Sequence, residues 1–135
     1  MPQSLSKVYV HIIFCTKNQQ NLIDDRIESS LYDYLGGICK GLECNPVKIG
    51  GHKNHVHILC LLSRKVSQMK LLEEIKKQSS KWIKTKDPAY SNFYWQDGYG
   101  IFQLILQKPI RSLIIYNFNK NIINIKIFRT NSSLF

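Results

Sequence analysis

Residues 46–62 read PVKIGGHKNHVHILCLL, from Pro46 to Leu62. Pro46 to Ile49 is a short β-forming run, and the pair Gly50-Gly51 that follows reads as a turn. His55 to Leu62 is a second apolar run of strand length. Two strands in succession at the centre of a short chain point to an antiparallel sheet, and the flanking sequence completes it. Upstream, Val8 to Thr16 is apolar on both alternating sets, Val10, Ile12 and Phe14 against His11, Ile13 and Cys15, as in a strand covered on both faces. Between these strands, Ile27, Leu31, Leu35, Ile38 and Leu42 recur at helical spacing, and Asp25 with Glu28 three residues on predicts the helix start. Gly36 and Gly37 inside that helix predict a close neighbour. Downstream, Ser67 predicts the cap of a second helix with Leu72, Ile75, Trp82 and Ile83 inward, ended by Asp87-Pro88. Trp95 to Gly100 is a turn-rich lead into a fourth strand. The order strand, helix, strand, strand, helix, strand predicts an α+β fold of the ferredoxin-like split type, βαββαβ, with an antiparallel sheet and helices on one face.

The chain has 135 residues, room for a single domain with a real core, and 44% of them are hydrophobic. Its formal net charge of +10 favours a polyanionic partner, with nucleic acid ahead of anionic membrane because no basic helix carries a broad aromatic face. No apolar run has the length of a membrane span and no signal peptide is legible, so the expected location is cytoplasmic with no membrane partner. Cys15, Cys39, Cys44 and Cys60 form no CxxC pair. They read as buried, reduced thiols, and a zinc site built from them fits no standard spacing.

Chemistry concentrates in Gly50-Gly51-His52-Lys53-Asn54-His55-Val56-His57. On a strand, residues two apart share a face, so His55 and His57 project together while Val56 points into the core. Two neutral imidazoles side by side can chelate one divalent cation, which can polarise a phosphoryl oxygen. An isolated H-x-H also arises where two histidines merely hydrogen-bond at a sheet edge. The glycine pair, the central strand and the basic composition favour the metal. His52 reads as a turn residue and His11 as a core or sheet-face histidine. On the second helix, Lys70, Lys77, Lys81 and Lys84 line one face that could track a phosphate backbone, or stand as a solvated face partly paired through Glu73 and Lys77. Phe93, Tyr94, Trp95 and Tyr99 offer rings either for unpaired bases or for packing.

Several segments together carry a family resemblance: Tyr9-Val10-His11-Ile12-Ile13-Phe14-Cys15-Thr16-Lys17, Gly50-Gly51 leading to His55-Val56-His57-Ile58-Leu59, Ser79-Ser80-Lys81-Trp82-Ile83-Lys84, and Trp95-Gln96-Asp97-Gly98-Tyr99-Gly100. Over about residues 1–102 the chain resembles the single-tyrosine HUH transposases of the smallest bacterial insertion sequences and the related REP-associated tyrosine transposases. The U position is Val56, and Asn54 stands where many relatives carry aspartate. The resemblance implies a homodimeric enzyme that binds single-stranded DNA hairpins at element ends. It implies that His55 and His57 hold Mg2+ or Mn2+, with a third ligand from a glutamine one turn after a helical tyrosine. That tyrosine attacks the scissile phosphodiester, giving a 5′-phosphotyrosine and a free 3′-OH without ATP.

Residues 103–135 diverge. No carboxylate follows Asp97, no glycine or alanine follows Gly100, and the family pattern Tyr-Ile-x-x-Gln-x-Glu-His-His is missing. Tyr116 is the only tyrosine after Tyr99 and so the candidate nucleophile, but Asn119 and Lys120 are poor replacements for a ligating glutamine. Read one base out of frame, with synonymous codons chosen to suit, the tail permits the segment YIQFQQEHH. Its three glutamines are forced if that frame is open. A one-base slip near codons 101–102 is therefore expected to have replaced the tail and disabled the catalytic helix. The competing readings are a hairpin-binding protein without cleavage and an RNA-binding domain of the same split fold. The two histidines on the central strand, where RNA-binding sheets carry aromatics, argue against the latter.

Overall fold

The computed structural model describes residues 7–105. The elements follow the expected order: β1 (Val8–Cys15), α1 (Glu28–Gly41), β2 (Pro46–His52), β3 (His55–Leu61), α2 (Gln68–Lys84) and β4 (Gly100–Ile105). Short 3-10 turns sit at Lys17–Gln19 and Pro88–Tyr90. The sheet order is β2-β3-β1-β4 and every pairing is antiparallel, which is the ferredoxin-like arrangement.

Alternation along the strands sets the layers. Val10, Ile12 and Phe14 of β1, Val56, Ile58 and Cys60 of β3, and Ile101 of β4 form one core with Leu31, Leu35 and Ile38 of α1 and Leu71, Leu72, Ile75 and Ile83 of α2. The helices therefore cover one face of the sheet. The intervening residues, His11 and Ile13 of β1, His55, His57 and Leu59 of β3 and Phe102 of β4, share the opposite face through the registers Ile13↔His57 and His11↔Phe102.

Local chemistry explains most boundaries and corrects some expectations. Ser67 caps α2, its Oγ accepting from the Lys70 amide at 3.0 Å, as its sequence position predicted. The start of α1 is held not by Asp25 but by Asp24, whose Oδ1 accepts from the Arg26 amide at 3.0 Å and the Ile27 amide at 3.1 Å. Asp24 also accepts from the Tyr90 hydroxyl at 2.8 Å, a contact 66 residues away that local spacing does not encode. Strand β2 does not stop before the glycines. It runs through Gly50 and Gly51 to His52, and the turn falls at Lys53-Asn54. The close neighbour expected at the α1 glycines exists at Gly36, where a Cβ would touch Ile49 Cδ1 at 3.5 Å, and not at Gly37. Trp82 is half-buried, stacked on Tyr34 at 4.6 Å between the two helices.

The Trp95–Gly100 segment is docked onto α2. The Trp95 indole donates to Ser79 Oγ at 2.9 Å, and Lys76 Nζ donates to the carbonyls of Gln96 at 2.8 Å and Gly98 at 2.7 Å. All four cysteines are free and buried.

Candidate metal centre and nucleic-acid interface

His55 and His57 lie where the sequence places them, on one face of β3 with ring centroids 4.9 Å apart. Each ring is oriented by a neighbour. Asn54 Nδ2 donates to the Gln19 carbonyl at 3.4 Å, which turns its Oδ1 toward His55 Nδ1 at 2.8 Å. An amide oxygen only accepts, so His55 carries its proton on Nδ1 and leaves the Nε2 lone pair open. His57 Nδ1 lies 3.3 Å from His11 Nε2, a contact that fixes the His57 ring through its Nδ1 side. The pattern is that of metal-binding histidines whose second nitrogen is held by a fixed partner.

The electrostatics agree. Burial lowers the pKa of His55, with the charge of His52 adding to it. His57 is pushed down to about 3 by burial, then by His55 and His11. Burial likewise takes His11 down to about 4. All three are neutral at pH 7 and so able to act as ligands or acceptors. Among the described residues no group of three or more His, Cys, Asp or Glu side chains is placed to hold a metal. The histidine pair could supply two ligands to a divalent cation, which would need further ligands from elsewhere.

The hairpin glycine serves this geometry directly. A Cβ on Gly51 would collide with the His55 carbonyl oxygen and lie 2.9 Å from Val56 Cα. Only glycine lets β2 pass this close to the histidine strand. His52, expected in the turn, is the last residue of β2 and pairs with His55. His11, expected as a core or sheet-face histidine, is fully buried and is also the partner of His57. The signal available in the sequence was its place on the same alternating set as Ile13, but the diagonal contact depends on register.

The lysine row is not brought to the histidines, because α2 covers the other face of the sheet. Lys70 and Lys77 pair with Glu74 at 3.0 and 3.2 Å, rather than Lys77 with Glu73. Hydrogen bonds from Gln78, Lys70 and Lys77 hold the Glu74 carboxyl well below the usual range. Lys81 is exposed, and Lys84 lies over the Tyr94 ring at 4.1 Å. Of the four rings expected either to stack on bases or to pack, Phe93, Trp95 and Tyr99 are buried, while Tyr94 is 50% exposed. Tyr116 lies outside the described residues, as does the whole divergent tail after Ile105.

A family model for IS200-like transposases matches residues 4–116. The chain belongs to that family. The matched span passes the Trp-Gln-Asp-Gly-Tyr-Gly segment and ends on Tyr116, further than the motifs alone reach. Two solved structures share the fold of this IS200-like chain. One is described as "a putative transposase from Deinococcus radiodurans R1", with a TM-score of 0.67, 18% identity, and 89% of this chain and 95% of that one covered. The other is a REP-associated tyrosine transposase bound to a REP hairpin, with a TM-score of 0.58, 13% identity, and 90% and 73% covered. No curated protein matches. Among the described residues no helix is long and apolar enough to cross a membrane.

Proposed function

We propose that this IS200-like transposase cleaves and rejoins single-stranded DNA at hairpin-bearing element ends, with a divalent metal, Mg2+ or Mn2+, bound at His55 and His57 and Tyr116 as nucleophile. The observation that carries the reading is the pair of neutral imidazoles side by side on one face of β3, each held through Nδ1 by a different partner. A bound divalent cation supplies charge neutralisation at the scissile phosphate. The Tyr116 hydroxyl gives up its proton as its oxygen forms a bond to phosphorus, the bond from phosphorus to the 3′ oxygen breaks, and the departing 3′ oxygen takes up a proton to become the 3′-OH. The 5′-phosphate stays on the tyrosine, so the bond energy is kept for rejoining and the reverse attack restores the strand. The family resemblance supports a homodimer acting on hairpin DNA in the cytoplasm.

A second reading, hairpin binding without cleavage, is favoured by one observation: Asn119 and Lys120 follow Tyr116 where the family has a glutamine ligand. An end-labelled single-stranded hairpin incubated with protein and Mn2+ separates the two. Cleavage gives a denaturant-stable protein–DNA adduct that is lost in Tyr116→Phe, and in His57→Ala falls by at least about a hundredfold, the scale expected when a metal site fails. Retention of the DNA with no adduct in the wild type selects binding alone. Reading the DNA that encodes residues 98–135 then tells whether an open shifted frame accounts for the loss.

A further inference from the structure

Between the end of β1 and the C-terminal turns of α2 lies a group of side chains that the metal centre does not use. Tyr94 is half-exposed although its neighbours Phe93 and Trp95 are buried. Two ammonium groups lean on its ring, Lys84 Nζ at 4.1 Å and Lys17 Nζ at 5.8 Å from the centroid. Lys84 also donates to Ser80 Oγ at 2.7 Å. Among the described residues neither lysine has a carboxylate partner, whereas Lys70, Lys77 and Lys65 all do. The backbone here is held in an uncommon form. Asn18 and Gln19 both adopt left-handed conformations, with φ of 57° and 56°. They stay there because Lys17 N donates to the Tyr94 carbonyl at 2.9 Å and Asn18 N donates to Gln96 Oε1 at 2.8 Å.

The loop is joined to the metal centre by an unbroken chain of contacts. Thr16 N donates to the Asn54 carbonyl at 2.9 Å, Asn54 Nδ2 donates to the Gln19 carbonyl, and Asn54 Oδ1 accepts from His55. This end of the sheet thus carries an accessible ring flanked by two cations that no carboxylate among the described residues neutralises. We infer that Lys17, Tyr94 and Lys84 form a subsite for one unpaired nucleotide of single-stranded DNA at the end of the sheet where β1 ends and β3 begins, the base stacking on Tyr94 and the adjoining phosphates meeting the two lysines. The chemistry selects this ligand. A flat apolar ring face asks for another flat ring, the cations ask for an anion on either side of it, and a base within a duplex has no free face to offer. The incoming base displaces an ammonium group from the ring, and the freed lysine moves to phosphate. The assignment rests on the DNA-processing reading above but not on cleavage.

The test measures binding of a fluorescent single-stranded oligonucleotide to the full chain by anisotropy, in EDTA, across a salt series. Tyr94→Ala is expected to weaken binding about tenfold, within the range of one lost base–aromatic stack, without changing the salt slope. Tyr94→Phe keeps the affinity. The double variant Lys17→Gln/Lys84→Gln is expected to reduce the slope of log K against log salt by about 1.4, the contribution of two single-strand phosphates. If the wild type binds but forms no adduct with Mn2+, the cleavage reading fails and the subsite stands. The subsite is overturned if Tyr94→Ala binds single strands as tightly as the wild type, if it loses duplex affinity equally, or if the double lysine variant leaves the salt slope unchanged. Thermal melts of each variant confirm that the compared proteins are folded.

Discussion

The two faces of the central strands are built from the same stretches of chain and do opposite work. Toward the helices, β1 and β3 turn Val10, Ile12, Phe14, Val56, Ile58 and Cys60, side chains with no strong hydrogen-bonding demand. Away from them, the same strands turn His11, His55 and His57 among Ile13 and Leu59. His11, Ile13 and Leu59 are as fully buried as the core itself. The difference lies in the kind of constraint. Aliphatic side chains are held by volume, so their positions tolerate exchange of similar shapes. A half-buried imidazole is held by its hydrogen bond, because a polar group taken from water without a partner costs a few kcal/mol. The first face contributes stability and the second contributes direction.

Three experiments sharpen this contrast or break it. The largest effect is expected on the helix face. Ile58→Ala should lose about 2–5 kcal/mol in equilibrium urea unfolding while the folded protein keeps its Mn2+ affinity. A parallel loss of metal affinity would show that the faces are not separable. Next, Asn54→Ala should weaken Mn2+ binding about 10- to 100-fold by calorimetry with little change in stability, because it frees the His55 ring to turn. Asn54→Asp should restore or exceed the wild-type affinity by making His55 a stronger donor. If the alanine variant binds as the wild type does, Asn54 does not orient the ligand.

The smallest effect concerns pH. His57 and His11 have folded pKa values pushed to about 3 and about 4, below the ordinary histidine value of 6.5, and His55 is lowered too. The unfolded chain therefore binds more protons than the folded one below pH 6.5. The stability tied to these rings is complete above that pH and is lost as pH falls toward 3. Metal-free protein should lose stability between pH 6.5 and 5, above the carboxylate range, by up to about 1.4 kcal/mol per pH unit for each histidine that titrates only on unfolding. His57→Ala should flatten this dependence, and an unchanged slope would mean that the rings do not carry it.

The sequence was most informative where the pattern is local. The strand alternation, the Ser67 cap and the shared face of His55 and His57 follow from spacing alone, and the structure reproduces them. The turn between β2 and β3 was misplaced because glycine usually signals a turn, whereas Gly51 is required here by the approach of the His55 backbone. Asp24 rather than Asp25 caps α1, and its Tyr90 partner, 66 residues away, is not visible to a local rule. The pairing of His11 with His57 depends on the β1–β3 register, and the choice of Glu74 over Glu73 depends on which side of α2 faces the sheet. Tyr94 could be told from Phe93, Trp95 and Tyr99 only once the segment was seen folded against α2. The Tyr116 assignment lies in residues whose composition carries neither a strong helical period nor the family's ligand pattern.

The placement of the four thiols gives the molecule a chemical clock. Cys39, Cys44 and Cys60 belong to the helix-side core, while Cys15 sits opposite His55 on the other face, its thiol pushed up to about 11 by burial. A thiol reagent reaches none of them until the structure opens. The order in which mass spectrometry finds them modified then records which face parts first, and how often, without any label having to be introduced.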